Sequence, residues 1–311
     1  MAEFYYGGQA VIEGVMMRGR HQATVAVRTL KGNILTYTEL LPASLYQRPV
    51  ARLPLLRGFI ALWEMLILGT RMMLFSATVH TRGEQERDIP KKVVTVMLVV
   101  SLTFVIGVFF VLPLLVVRAG SHVFQGSIAA NALEGVLRLL LFVGYLALIG
   151  RMGQMKRVFQ YHGAEHKTVN AYEHGAELSP KSVQRFSTIH VRCGTAFLLW
   201  VVVISIFVFA LIGHPPLLMG IAARIILVPL IATTSYEILR LGARYYHVLP
   251  VRLVLQPGLW LQRLTTREPS EEQLEVAIAA LKPVLEADGV PVPASAYIPR
   301  GSLTRPSEAT S

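Results

Sequence analysis

Three side chains in the run Tyr161-His-Gly-Ala-Glu-His-Lys-Thr168 have types and a spacing suited to metal chemistry: His162, Glu165 and His166. In a helix each residue advances about 100°, so His162 and His166, four apart, stand on one face and can meet a single ion. Glu165 lies about 60° around the axis from His162, close enough to reach a water on such an ion without binding it. The pattern reads H-x-x-E-H, the inverted zincin arrangement in which two histidines hold the metal and the glutamate serves as general base. Other histidines lack this company. His21, His80, His122, His214 and His247 stand alone, and His174 before Gly175 reads as the end of a helix followed by its cap.

A catalytic zinc takes about three protein ligands and keeps one position open. Glu173 falls on nearly the same helix face but about 10 Å along the axis from His166, too far to share an ion. The next donors are His190 and Cys193, an H-x-x-C pair just ahead of a long apolar run. With both, the site would be a closed tetrahedron, the usual structural form; with one, water keeps a place and Glu165 has something to activate. The residues alone leave both arrangements open. They also leave open a metal-free arrangement, with the histidines bonded to carbonyls or lipid phosphates, Glu165 paired with Arg185 or Arg192, and Cys193 acting as a small buried hydrophobe.

The elements that must position these residues are membrane-like. Of 311 residues 53% are hydrophobic and only 16% charged, too apolar for a soluble protein of this length. The net charge of +11 then reads as Lys and Arg gathered in cytoplasmic loops. No basic patch interleaved with aromatics argues for nucleic acid, and none is expected as a partner. The single cysteine excludes an intrachain disulfide. Met1 to Gly19 has no basic stretch followed by an apolar core, so no cleavable signal peptide is expected.

The fold class expected is a polytopic α-helical membrane protein with about four transmembrane helices in two hairpins, a small cytoplasmic β-rich N-terminal module and a C-terminal amphipathic helix. Residues 1–52 form the module, with a hairpin around Lys31-Gly-Asn33 and no phosphate-loop glycine pattern. Residues 53–92 form an interfacial helix and basic linker, because Arg57, Glu64 and Arg71 recur every seven residues along one stripe. The first hairpin, 93–150, spans Val93 to Val117 and Ala129 to Ile149, with Glu134 and Arg138 four apart so that their charges can neutralise each other. Residues 151–192 make the cytoplasmic loop that carries H-x-x-E-H. The second hairpin, 193–240, spans Cys193 to Ile212 and Leu217 to Thr234, and Glu237, Arg240 and Arg244 at its end could face the histidine loop. Residues 241–288 hold an interfacial segment with Trp260 and a helix capped by Ser270 and Gln273, and 289–311 a disordered tail.

Four stretches together resemble the YqhQ-like family of bacterial membrane proteins. They are Gly7-Gly-Gln-Ala-Val-Ile-Glu-Gly-Val-Met-Met-Arg-Gly19; Tyr161 to Thr168; His190 with Arg192-Cys-Gly-Thr195; and Pro257-Gly-Leu-Trp-Leu-Gln262 running on to Pro269. Val191 stands where the family pattern has proline. The resemblance implies a multi-pass protein of the bacterial cell inner membrane, both termini cytoplasmic, and a predicted metal-dependent enzyme of unassigned substrate. His162, Glu165 and His166 match its motif position by position. The expected function is a metal-dependent hydrolase at the cytoplasmic membrane face, with a divalent metal, zinc by ligand type, on His162, His166 and His190 or Cys193, and Glu165 as base. The alternative is a non-enzymatic membrane protein in assembly, quality control or transport, stapled by the same residues. Partners are the lipid bilayer and an unassigned substrate or membrane protein.

Overall fold

The computed structural model describes residues 6–41, 53–82, 90–120, 127–213, 215–292 and 303–306. Strands β1 (Gly7–Val11), β2 (Gly14–Arg18), β3 (Gln22–Arg28) and β4 (Ile34–Leu40) form an antiparallel meander. The β3–β4 connection is the expected hairpin: Gly32 takes a φ of 87°, which costs glycine little, and the Thr29 N–H donates to Asn33 O at 2.8 Å. Side chains alternate across a strand, and here both faces are covered. Ala10, Val15, Met17 and Ala26 point to one core, and Val11, Met16, Val25 and Val27 to another. A sheet covered on both sides explains why Val15, Met16 and Met17 run on without a polar interruption.

Helix α1 (Leu56–Arg82) covers one face with Leu68, Met72 and Val79. The rod that follows is 29 residues long and consists of α2 (Lys91–Ile106), a π turn (Gly107–Val111) and α3 (Leu112–Ala119). After α4 (Ser127–Ile149) come α5 (Gly153–Glu173) and the short α6 (Pro180–Val183). An antiparallel pair, α7 (Gly194–Ile212) and α8 (Leu217–Arg244), completes the apolar bundle. Helix α9 (Leu249–Thr265) buries Leu255 and Leu259 and exposes Leu253 and Trp260. Helix α10 (Glu271–Ala287) opens on a complete Ser270–Gln273 capping box. Its Leu274, Ala277, Ile278, Leu281 and Leu285 join α5 on the second face of the sheet. The sheet is thus the middle layer between α1 and the α5–α10 pair, while Phe109, Phe110, Phe142, Val202 and Phe209 fill the bundle.

Four departures from the sequence reading have physical causes. Five helices, not four, are long and apolar enough to cross a membrane, the additional one covering Leu56–His80. Its three charges are each neutralised, Arg57 by Glu237, Glu64 by Arg18 and Arg71 by Glu39. The same Arg57 pair takes Glu237 away from the histidine loop it was expected to face. Helix α6 interrupts the segment 151–192, where a loop follows the motif helix. Within the tail, β5 (Leu303–Pro306) pairs in parallel with β4, because a sheet edge offers main-chain bonds even to a segment without apolar periodicity. The remainder of the tail beyond Val292, the linker 83–89, and His122 and His214 lie outside the described residues.

Leu281 is fully buried under the sheet, and Leu211, at the end of α7, is 90% exposed. Leu281→Ala should cost about 2–5 kcal/mol, a buried leucine's typical loss, and lower the thermal midpoint in detergent. Leu211→Ala should leave that midpoint unchanged; equal shifts would contradict the layering.

Candidate metal centre

Two loops fix the imidazoles of α5. His162 donates from Nδ1 to Thr265 O at 2.9 Å, and His166 donates from Nδ1 to Thr188 O at 2.6 Å. A carbonyl on Nδ1 selects the tautomer whose Nε2 carries a free lone pair, which is how metal-ligating histidines are usually oriented. The first loop follows α9 and rides on α5, with Arg267 N–H donating to Phe159 O at 2.9 Å. A Cβ at Gly163 would collide with Arg267 O, so glycine at this position is what lets the Thr265 carbonyl approach His162. The second loop is pinned by Asn170 Nδ2 to Ser187 O at 2.8 Å and by Lys167 Nζ to Gln184 O at 2.6 Å. The fully buried Gln262 adds both amide contacts to the His190 backbone, 2.9 Å from N–H and 2.8 Å to O.

Between the loops stands Cys193, the N-cap of α7, whose Sγ accepts from Thr195 N–H at 3.4 Å. Its Sγ lies 3.3 Å from His162 Nε2, the two imidazole centroids are 4.4 Å apart, and the donors of His162, His166 and Cys193 all fall within 4.8 Å of one another. Zinc bonds of about 2.0–2.1 Å to nitrogen and about 2.3 Å to sulfur place tetrahedral donors roughly 3.3–3.6 Å apart. The cysteine–histidine spacing of 3.3 Å already matches, and the set as a whole, within 4.8 Å, is somewhat wider. The residues fit the ion.

The other two candidates take different places. Glu165 is buried and accepts from Gly8 N–H at 3.0 Å, and it is not one of the three converging donors. A Cβ at Gly8 would strike Met16 O, so this strand position also needs glycine. His190 stands beside the cluster, its ring 5.8 Å from that of His166, with Nε2 turned to Glu173 Oε2 at 3.3 Å. Glu173 also holds Arg192.

Charge follows from burial and proximity. Burial opposes protonation of His162, but the Cys193 sulfur and the Glu165 carboxylate outweigh it and raise its pKa to about 9. Burial likewise opposes ionisation of Cys193, and the nearby His162 and His166 overcome it, holding the thiol well below its ordinary value. Glu165 is raised above the usual carboxylate range by burial, against the pull of both histidines and the Gly8 N–H. Burial, aided by His166, pushes His190 down to about 4.

The model of the family described as "Protein of unknown function (DUF1385)" matches residues 53–287. The chain belongs to the DUF1385 family. It is 33% identical over 297 residues to the "Uncharacterized protein YqhQ" of Bacillus subtilis (strain 168), covering 92% of this chain and 93% of that protein. No solved structure matches it. The YqhQ-like resemblance is therefore a family relationship, and neither description carries an activity. In this DUF1385 protein the residues that the sequence reading missed are those that act through backbone or amide contacts: Gly8, Gly163, Thr188, Gln262 and Thr265. Gly8, Gly163, Gln262 and Thr265 all lie in stretches that carried the resemblance, but nothing in their side-chain chemistry announces a site.

Two outcomes are expected. Zinc binding to the metal-free protein must displace the His162 proton, so affinity should rise with pH until about 9 is passed. Below that, zinc binding should release protons. Chelator competition in weakly buffered solution checks this; a profile flat from about pH 6 to 9 would contradict it. Gly163→Ala, which displaces the carbonyl behind His162, should weaken zinc about 10- to 100-fold without touching a ligand, the usual cost of a lost outer-shell contact.

Proposed function

We propose that this is a zinc-dependent hydrolase of the bacterial inner membrane, with its site at the cytoplasmic face. The observation that carries the reading is the convergence of His162, His166 and Cys193, each imidazole oriented by a carbonyl, while His190 is engaged elsewhere. Three protein ligands leave a coordination position open. Bound there, zinc supplies a Lewis acid and makes water acidic near neutral pH. Glu165, held by the Gly8 N–H and raised by burial above the usual carboxylate range, would in its ionised form serve as the base that takes a proton from water there and passes it to the leaving group. His190 stays neutral above pH 5 and braces the loop through Glu173 and Gln262.

The proposed topology keeps four spans in two hairpins, the α2–α3 rod with α4, and α7 with α8. Helix α1 is the fifth apolar helix, and both its halves are tied to the same end of the bundle. Arg57 pairs with Glu237 near the end of α8, and Leu68, Met72 and Val79 lie on the sheet. Its first turns expose Leu56, Phe59 and Trp63, as an interfacial helix does. Arg151, Lys156, Arg157, Arg240, Arg244 and Arg252 gather at that end, which the positive-inside rule makes cytoplasmic.

Glu165→Gln keeps the shape of the base and removes its proton chemistry. The variant should retain zinc at wild-type stoichiometry by metal analysis yet fail to complement a deletion strain. Full complementation with zinc retained would remove the hydrolase and leave the metal as a staple; wild-type protein purified without metal would remove both.

A further inference from the structure

We infer that the end of the bundle remote from the metal centre binds a phosphate group, through Arg118 and Arg224, with Arg138 adding to the unneutralised charge behind them. Glu134 is the only acidic residue from Ile89 to Ala164, and none occurs from Leu178 to Tyr236. The bundle therefore has one carboxylate against three arginines at this end. Glu134 and Arg138 do pair, as their spacing suggests, but Arg224 binds the same Glu134 Oε1, so the three side chains are not neutral together. Glu134, Arg138 and Arg224 are all buried.

Arg138 and Arg224 are tied in place by other contacts. Each donates from Nε to the π turn, Arg138 to Phe109 O at 3.0 Å and Arg224 to Phe110 O at 3.1 Å. Arg138 also reaches Ser205 Oγ at 3.1 Å and Arg224 reaches Gly220 O at 3.0 Å. The Phe209 ring lies between them, 5.0 Å from one guanidinium carbon and 4.7 Å from the other. The extra helical residue in the π turn presents two successive carbonyls to two cations.

Arg118 has no such provision. It donates to Pro215 O, while its Nε is buried with no acceptor. A point where a Cβ of Gly220 would sit is 3.8 Å from Arg118 Nη2 and 3.7 Å from Arg224 Nη1. Both guanidinium groups thus border Gly220, beside Leu114 Cδ2 at 3.4 Å from the same point. Glu134 is already shared by Arg138 and Arg224, so among the described residues no carboxylate is left for Arg118, and a buried surplus of positive charge favours an anion from outside the chain. A phosphate suits the position because guanidinium forks match its oxygens in pairs. Arg118 lies one residue from the end of α3, at the depth where long cationic side chains meet lipid phosphates. The phosphate belongs either to a lipid headgroup of the adjoining leaflet or to a free ion, and the lipid is the expected source.

The test uses the full chain in neutral detergent, titrated with short-chain phosphatidylglycerol, the corresponding diacylglycerol, or inorganic phosphate, with bound ligand counted by native mass spectrometry. Arg118→Gln leaves every carbonyl contact of Arg138 and Arg224 in place. Gly220→Leu fills the gap without changing charge. Arg244→Gln, at the opposite end, is the control. Phosphatidylglycerol should bind the wild type and Arg244→Gln alike, and Arg118→Gln and Gly220→Leu about tenfold more weakly, the loss of one charge-assisted bond. Inorganic phosphate binding with the same dependence on the variants would retain the site and make the free ion its ligand. Diacylglycerol bound as tightly as phosphatidylglycerol, or equal binding by wild type and Arg118→Gln, would overturn the inference.

Discussion

Everything at the candidate metal centre depends on two hydrogen bonds from imidazole Nδ1 atoms to main-chain carbonyls. A histidine left to itself interconverts between tautomers and rotamers, and two of them a helical turn apart need not share a target. Thr265 O and Thr188 O remove that freedom. Because the acceptors are backbone atoms, the constraint passes to whatever fixes the backbone. For Thr265 that is the end of α9 pressed on Gly163; for Thr188 it is a loop held by Asn170, Lys167 and Gln262. Gln262 belongs to both arrangements, since it sits in α9 three residues before Thr265 and clasps His190 two residues after Thr188. One buried amide thus couples the two carbonyls, and it makes the positions of the two imidazoles interdependent.

The layers around this centre divide the work. α5 contributes both histidines and Glu165, and its Tyr161, Ala164 and Val169 join the core shared with the sheet and α10. The sheet in turn delivers the Gly8 N–H to Glu165. Cys193 is the N-cap of α7, so the sheet layers and the apolar bundle meet at the donors themselves. A shift of α7 in the bilayer would move the sulfur relative to two nitrogens anchored elsewhere.

Much of this was legible in the sequence, for identifiable reasons. The grouping of His162 with His166 was legible because its spacing is local, and a helix converts local spacing into a shared face. The capping box at Ser270 and the hairpin around Gly32 were legible for the same reason. Pairings across long separations were not. Glu237 could be placed at the end of its helix, but Arg57, 180 residues away, decides its partner. The order of His190 and Cys193 along the chain gave both as donors, and only the position of Glu173 distinguishes them: it draws the His190 ring aside and leaves Cys193 facing the pair. Helix α1 was ambiguous because composition counts its charges, while folding cancels them one by one.

The cancelling of charge also separates the two ends of the bundle. Near the metal centre, charges meet opposites within the chain: Cys193 with His162, Lys167 with Glu268, and Glu173 with Arg192. At the far end, Glu134 must serve two arginines through one oxygen, and Arg118 approaches with no carboxylate to meet it. Moving charge out of water costs several kcal/mol per ion unless a partner offsets it. The first end satisfies that condition from within the chain, with a proton on His162 standing where a metal fits. The second end does not, and aromatic faces and π-turn carbonyls reduce the cost of Arg138 and Arg224 without removing their charge. A chain that keeps three cations around one carboxylate in its bundle depends on its surroundings for the missing negative charge, and for a membrane protein the nearest abundant source is lipid phosphate.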